Sequence, residues 1–159
     1  MSSQPPVLSS QLCFEVYATN LAFGRAYKPL LDPLGLTYLQ YLVLMVLWEQ
    51  DGISLGQIGR MLDLESNTLT PLLKRMEAQG MLRRSRDPAD ERRVQAVLTP
   101  AGSDLRHRAA DVVACAREAA GISPDEVDQL RTTMRRLRRN LQQTAAARGG
   151  GGAAPGGDG

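Results

Sequence analysis

The chain has 159 residues, 43% hydrophobic content and a formal net charge of +2. This length and apolar content predict a single domain with one sizeable core, and the small net charge neither requires nor excludes a polyanionic partner. Because no basic segment precedes an apolar stretch at the N-terminus, and because the longest apolar run, Tyr41 to Trp48, is too short to span a bilayer, we expect a soluble, cytoplasmic protein without a membrane partner.

The N-terminal part of the chain is predicted to form two helices after a flexible start. Residues 1–8 are rich in Ser, Pro and Gln, and we expect them to be flexible. A first helix is predicted from Leu12 to about Tyr27, since two prolines follow and disfavour its continuation. A capping box at Thr37 opens a second helix that reaches Trp48. This second helix is apolar on all sides, so it is expected to be buried.

The next segment is predicted to form a helix-turn-helix. Ser54 and Gln57 fit a capping box, and apolar residues at a spacing of three and four continue as an amphipathic helix. A short turn, Asp63 to Ser66, leads into a second helix whose apolar residues share one face. The opposite face is small, polar and basic, which suits a recognition helix in the major groove, although an ordinary solvated face has the same composition. The candidate DNA-contacting residues here are Ser66, Asn67, Thr68, Thr70, Pro71, Lys74 and Arg75.

A β-hairpin is predicted after this helix, with strands at Leu82–Arg86 and Val94–Leu98 joined by a turn that begins at Asp87. Between Lys74 and Arg93 the chain has seven basic and four acidic residues. An arginine-rich hairpin beside a helix-turn-helix is typical of the winged variant, whose wing can place an Arg in the minor groove. An isolated hairpin of this kind would more often be solvated surface. The candidate wing residues are Arg84, Arg86, Asp90, Arg92 and Arg93.

Two further helices are predicted at the C-terminal end. Thr99 followed by Pro100 is typical of a helix start, and one long helix is expected from there to about Ala120. A capping box at Ser123 opens the last helix. Its apolar residues recur as a heptad seam rimmed by arginines, which favours packing against a partner subunit, with packing within the chain as the alternative. The seam consists of Val127, Leu130, Met134, Leu137 and Leu141.

The fold class predicted from these elements is mainly α with a small β-wing, a winged helix-turn-helix. The expected organisation is a flexible N-terminus (1–8), N-terminal helices (9–50), a DNA-binding lobe (51–102), C-terminal dimerisation helices (103–145) and a disordered Gly-rich tail (146–159).

Two motifs resemble the MarR family of winged-helix repressors. The run Asp87-Pro88-Ala89-Asp90-Glu91-Arg92-Arg93, closed by Leu98-Thr99-Pro100-Ala101-Gly102, is similar to the wing signature of that family. The run from Thr68 to Glu77 resembles the recognition helix of its OhrR-like branch, which senses organic hydroperoxides and in which Pro71 is a family feature. The resemblance extends from about Leu12 to Leu141. It implies a homodimeric repressor, not an enzyme, that is dimerised through its N- and C-terminal helices and binds a pseudo-palindromic DNA site.

The cysteines are the candidate site of chemistry. Two cysteines about a hundred residues apart and one histidine, His107, fit neither a disulfide framework nor a zinc site, so we expect no metal and no cofactor. A lone Cys on an apolar helix face is most often inert core. Cys13, however, lies in the first turn of a helix, where the dipole favours a reactive thiolate.

The resemblance adds roles for four residues. Leu12-Cys13-Phe14, Tyr27 and Tyr38 match the sensing cysteine of OhrR-like proteins and the two tyrosines that hydrogen-bond it, whereas plain aromatic packing would be the default elsewhere. Cys115 corresponds to the resolving thiol of the two-cysteine type. The implied chemistry is oxidation of Cys13 by an organic hydroperoxide to a sulfenic acid, followed by an intersubunit disulfide with Cys115.

Two other functions compete with a redox-gated repressor. One is a repressor gated by a small phenolic or other apolar ligand, which the combination of Cys13, Tyr27 and Tyr38 disfavours. The other is a thiol-dependent enzyme that consumes peroxide, which would leave the winged helix unused.

Overall fold

The computed structural model describes residues 7–149, so residues 1–6 of the predicted flexible start and the tail after Gly149 lie outside it. The chain divides into two compact units, Met1–Ala119 and Ala120–Gly159. In chain order the elements are a 3-10 helix Leu8–Ser10, α1 Leu12–Leu31, a 3-10 helix Asp32–Leu34, α2 Tyr38–Glu49, β1 Ile53–Ser54, α3 Leu55–Leu62, α4 Ser66–Ala78, β2 Leu82–Arg86, β3 Val94–Leu98, α5 Pro100–Arg108, α6 Ala110–Ala120 and α7 Pro124–Gly149. The predicted class, mainly helical with a small winged sheet, is confirmed.

Helix α2 supplies much of the core of the first unit. Val43, Leu44 and Leu47 are at most 1% exposed, as expected for a helix that is apolar on all sides. The predicted capping box at Thr37 is present, since its hydroxyl accepts from the Gln40 N–H and the Gln40 side chain accepts from the Thr37 N–H. Within residues 7–149 no single helix is both long and apolar enough to cross a membrane. By length and composition only the bent pair Leu12–Leu34 and Tyr38–Glu49 qualifies.

Helices α3 and α4 form the predicted helix-turn-helix. The Ser54 capping box opens α3. Asp63 ends it in the left-handed conformation, with φ of 56°, which Asp tolerates better than most residues do. The Leu64 N–H then donates to the Gly59 carbonyl at 2.9 Å, which closes the turn. Ser66 is the first residue of α4 instead of the last residue of the turn.

The wing is a three-stranded antiparallel sheet in the order β1-β3-β2. The predicted hairpin is confirmed, with Leu82 opposite Leu98 and Arg86 opposite Val94. Strand β1 was not predicted. It has only two residues, too few for an alternating pattern, and it forms through pairing of Ile53 with Ala96.

Three helix boundaries differ from the prediction. Helix α1 continues past Tyr27 to Leu31 and includes Pro29, which removes one backbone hydrogen bond without ending the helix. The single helix predicted after Thr99 is two helices with a break at Ala109, where the Val112 N–H donates to the Ala109 carbonyl in a tighter turn. No Gly or Pro marks this break. Helix α7 continues over residues 146–149, which were assigned to a disordered tail.

Candidate DNA-binding surface and thiol site

Helix α4 presents the two faces that its sequence predicts. Leu69, Leu72, Leu73 and Met76 are at most 3% exposed and hold the helix on the core. The candidate DNA-contacting residues on the other side are exposed, apart from Thr70, which is half-buried; they are Ser66, Asn67, Thr68, Thr70, Pro71, Lys74 and Arg75. The polar face is therefore free to meet a partner while the apolar face fixes its orientation.

Arg84, one of the predicted wing residues, is paired with Glu77 of helix α4. Its Nε and backbone N–H donate to the two carboxylate oxygens of Glu77, each at 2.8 Å. The guanidinium is only partly exposed. This pair joins the last turn of α4 to strand β2. Sequence reasoning missed Glu77, because nothing local indicates that it faces the wing.

The wing tip carries two exposed arginines arranged around one carboxylate. Asp90 Oδ1 accepts from the Arg92 backbone N–H at 3.1 Å and lies 3.4 Å from its Nε, while Asp90 Oδ2 lies 3.4 Å from Nε of Arg93. The Arg92 side chain is 93% exposed. Arg86 donates to the Glu91 carbonyl across the loop. Asp90 is thus placed to orient Arg92.

Asp51 is a second residue that sequence reasoning missed. Its Oδ1 accepts from the Gly52 N–H at 2.8 Å and from the Leu98 N–H at 2.9 Å, so it ties the start of the lobe to the end of β3. The signal that could have found it is the Asp-Gly pair just before the Ser54 capping box, since such pairs favour turns in which the Asp side chain accepts backbone N–H groups.

Both cysteines are free thiols and both are exposed. Cys13 is the second residue of α1, and Cys115 lies on α6. Around Cys13, helix α1 also exposes apolar side chains, with Leu12 and Tyr17 each 60% exposed. An apolar surface of this kind on an otherwise well-packed unit is typical of a protein–protein interface.

Tyr27 and Tyr38 form an aromatic pair with ring centroids 5.0 Å apart in an edge-on arrangement. The ring centroid of Tyr41 lies 6.0 Å from that of Tyr27. Sequence reasoning missed Tyr41, although its spacing of three from Tyr38 on α2 was a usable signal. Burial raises the pKa of both Tyr27 and Tyr38 above the usual 10.0, and the charge of Tyr38 adds to the effect on Tyr27. Both phenols therefore remain protonated near neutral pH and can donate hydrogen bonds.

Cys13 and Tyr27 are not brought together within one chain. They lie fourteen residues apart on the unbroken helix α1, which corresponds to roughly 21 Å along its axis at 1.5 Å per residue. A contact between the Cys13 thiol and this tyrosine pair therefore requires a second copy of the chain.

The predicted seam lies on α7, in the second unit. Leu130, Met134 and Leu141 are 50%, 40% and 62% exposed, and Val127 and Leu137 are half-buried. The seam is thus largely uncovered in the single chain. Among residues 7–149 there is no group of three or more His, Cys, Asp or Glu side chains that could hold a metal ion.

The chain is similar to two curated bacterial regulators. It is 59% identical over 102 residues to the HTH-type transcriptional regulator TtmR of Methylorubrum extorquens (strain PA1), which covers 64% of this chain and about half, 52%, of TtmR. It is 41% identical over 136 residues to the organic hydroperoxide resistance transcriptional regulator of Bacillus subtilis (strain 168), covering 86% of this chain and 92% of that protein.

Solved structures of AbfR from Staphylococcus epidermidis have the same fold. Reduced AbfR bound to DNA matches with a TM-score of 0.72 and 36% identity, over 87% of this chain and 94% of that one. AbfR with its disulfide formed matches with a TM-score of 0.61 and 38% identity, over 82% and 91%. The MarR family model matches residues 36–94, from just before α2 to the start of β3. Because the matches to the Bacillus subtilis regulator and to AbfR cover more than nine tenths of those proteins, the chain belongs to the MarR family of winged-helix transcriptional regulators.

Proposed function

We propose that this protein is a homodimeric, DNA-binding repressor that releases its operator when an organic hydroperoxide oxidises Cys13. The observation that carries the proposal is an exposed, free thiol, Cys13, on the exposed apolar surface of α1 in a winged-helix protein, where an oxidant can reach it. The similarity to the Bacillus subtilis organic hydroperoxide resistance regulator supports the choice of oxidant.

The tyrosine pair fits this chemistry when it is supplied by a second subunit. Tyr27 and Tyr38 keep their protons, so their hydroxyls can donate to a thiolate and stabilise it. Since α1 holds its own Cys13 far from Tyr27, the dimer would assemble the site from two chains. The exposed apolar surface of α1 and the uncovered α7 seam are the surfaces that would form that dimer.

The proposed reaction has two steps. In the first, the Cys13 thiolate attacks the distal peroxide oxygen, the O–O bond breaks, and the products are Cys13 sulfenic acid and an alcohol, whose oxygen takes up one proton. In the second, the Cys115 thiol of the other subunit attacks the sulfenic sulfur, which forms a disulfide and releases water. AbfR, which has been solved both reduced on DNA and with its disulfide formed, offers a precedent in a related protein.

The reduced dimer would present two recognition helices to one face of the DNA. Helix α4 would enter the major groove, and Arg92 of each wing would reach the adjacent minor groove. Two-fold symmetry then requires a pseudo-palindromic operator with half-sites about one helical turn, or a multiple of it, apart. A disulfide between the subunits would move the two recognition helices and their wings out of register with the two half-sites.

The test compares Cys13→Ser and Cys115→Ser with the wild type in a mobility-shift assay on operator DNA, with and without an organic hydroperoxide. Cys13→Ser should bind operator and remain bound after oxidant is added. Cys115→Ser should still form sulfenic acid but no disulfide dimer on a non-reducing gel, and its release should be incomplete. If hydroperoxide releases Cys13→Ser as readily as the wild type, redox sensing at Cys13 is wrong and gating by a small ligand replaces it.

A further inference from the structure

The side chain of Gln40 joins the first turn of α2 to the end of the recognition helix. It is only 4% exposed, and it is the one buried polar side chain among residues 7–149. Its Oε1 accepts from the Thr37 N–H at 2.9 Å, and its Nε2 donates to Oε1 of Gln79 at 2.8 Å. Gln79 is the C-cap residue of α4.

The capping box determines the direction of this contact. Because the Thr37 backbone N–H is a donor, the Gln40 atom that faces it must be the amide oxygen, so the NH₂ group faces Gln79. Gln79 must then present its own oxygen as the acceptor. The same amide therefore serves as part of the N-terminal cap of one helix and as the donor to the C-terminal end of another.

The turn that holds Gln40 also holds Tyr38, the first residue of α2. The Tyr38 ring packs edge-on against Tyr27, and the capping box constrains the backbone between Thr37 and Gln40. A displacement of Tyr38 therefore moves a backbone segment that is hydrogen-bonded to the recognition helix. The Gln40 amide is buried and is hydrogen-bonded through both its oxygen and its nitrogen, so it has few alternative arrangements, which makes it suitable for transmitting a shift.

We propose that Gln40 and Gln79 are positioning residues that couple the thiol-sensing tyrosines to the pose of the recognition helix. This inference rests on the proposed function, since it assigns the route by which oxidation at Cys13 reaches α4. Oxidation alters the contact between the thiol and the tyrosine pair, the first turn of α2 shifts, and the Gln40–Gln79 hydrogen bond moves the C-terminal end of α4. Neither glutamine contacts DNA or the thiol in this scheme.

The substitution Gln79→Leu tests the coupling, because it removes the acceptor and leaves the α2 capping box intact. Gln79→Glu is the matched control, since a carboxylate oxygen can still accept from Gln40 Nε2. For each variant we would measure the dissociation constant for operator DNA before and after oxidation, together with the rate of Cys13 sulfenic acid formation. Because Gln79 is exposed, both variants should fold, which circular dichroism would verify. Gln79→Ala provides a second variant without the acceptor.

In the wild type, oxidation should weaken operator binding substantially. In Gln79→Leu and Gln79→Ala, the ratio of oxidised to reduced dissociation constants should fall by about 2- to 30-fold relative to the wild type, while Cys13 oxidises at the wild-type rate. Gln79→Glu should keep the wild-type ratio. The coupling would be overturned, with redox sensing left in place, if Gln79→Leu kept the wild-type ratio of oxidised to reduced dissociation constants. It would also be overturned if Gln79→Glu lowered that ratio as much as Gln79→Leu does. If the wild type itself is not released by oxidant, the redox proposal fails and the inference fails with it.

Discussion

Glu77 at the end of α4 and Arg84 on β2 are joined through both oxygens of the carboxylate. Oε1 accepts from the Arg84 backbone N–H, and Oε2 accepts from its guanidinium, with Nη2 at 2.7 Å. The contact fixes the wing relative to helix α4, and these are the two elements that we propose engage DNA together.

This pair predicts a pH dependence of stability. Hydrogen bonds from the Arg84 backbone and then from its side chain hold the pKa of Glu77 below its ordinary value of 4.5. Because the folded-state pKa is lower than the unfolded one, the stabilisation is fully present above about pH 4.5 and is lost as the pH falls through the folded value. Glu77→Gln should therefore unfold at a lower urea concentration than the wild type at pH 7, and the difference between their urea midpoints should shrink below pH 4.5. Glu91→Gln, which removes the same charge at the exposed wing tip, should show no such convergence.

A close backbone approach at Gly102 predicts a large effect of a single methyl group. A Cβ at this position would overlap the Met81 carbonyl oxygen and would lie 3.2 Å from Cδ2 of Leu98. Gly102→Ala should thus lower the free energy of unfolding by about 1–3 kcal/mol, the usual cost of overpacking. The control is Gly56→Ala on α3, where the nearest atom is an Arg60 nitrogen at 3.7 Å and where Ala should be neutral or stabilising by up to about 1 kcal/mol. Equal denaturation midpoints for the two variants would contradict the packing argument.

The exposure of Arg92 leads us to expect that the wing contributes to DNA binding. Its side chain is 93% exposed and lies beside Asp90, so it is extended toward solvent and available to the minor groove. Arg92→Ala should weaken operator binding by about 1–3 kcal/mol, most strongly on sites with A·T-rich flanks. Arg148→Ala on α7 removes an arginine outside the proposed surface and should leave the affinity unchanged. Wild-type affinity of Arg92→Ala at physiological salt would show that the wing is misassigned.

The seam on α7 predicts dimerisation. Leu130 is 50% exposed in the single chain, and a helix face of this composition is stabilised by burial against a partner. The double variant Leu130→Asp, Leu137→Asp should shift the protein toward monomer in sedimentation at micromolar concentration and should weaken operator binding. Thr132→Asp, on the opposite face of the same helix, is the matched control. A wild-type monomer, or a double variant that sediments like the wild type, would remove the basis for a dimer formed through this seam.

The tyrosine pair predicts an effect on oxidation without an effect on DNA affinity. Tyr27→Phe and Tyr38→Phe each keep the ring packing but remove a hydroxyl that would stabilise the thiolate of the other subunit. Thiol titration after hydroperoxide addition should therefore show slower loss of Cys13, while the reduced variants bind operator as the wild type does. Unchanged oxidation rates in both variants would assign these tyrosines to packing alone.

The residues themselves predicted the features that depend on short-range hydrogen bonds. The capping boxes at Thr37, Ser54 and Ser123 are all present, because each needs only groups within three residues of one another. The hairpin and the buried face of α4 were equally accessible, since alternation and helical spacing are properties of the local chain. The family resemblance depended on these same segments.

Only the tertiary structure decided features that join distant parts of the chain. Strand β1 exists because β3 pairs with it, and Arg84 is engaged because Glu77 faces the wing, which no local pattern indicates. The break at Ala109 likewise divides a helix that was predicted to be continuous, and no Gly or Pro marks it. Packing energies and long-range hydrogen bonds depend on partners that sequence spacing does not identify. These relationships are therefore determined only in the folded chain.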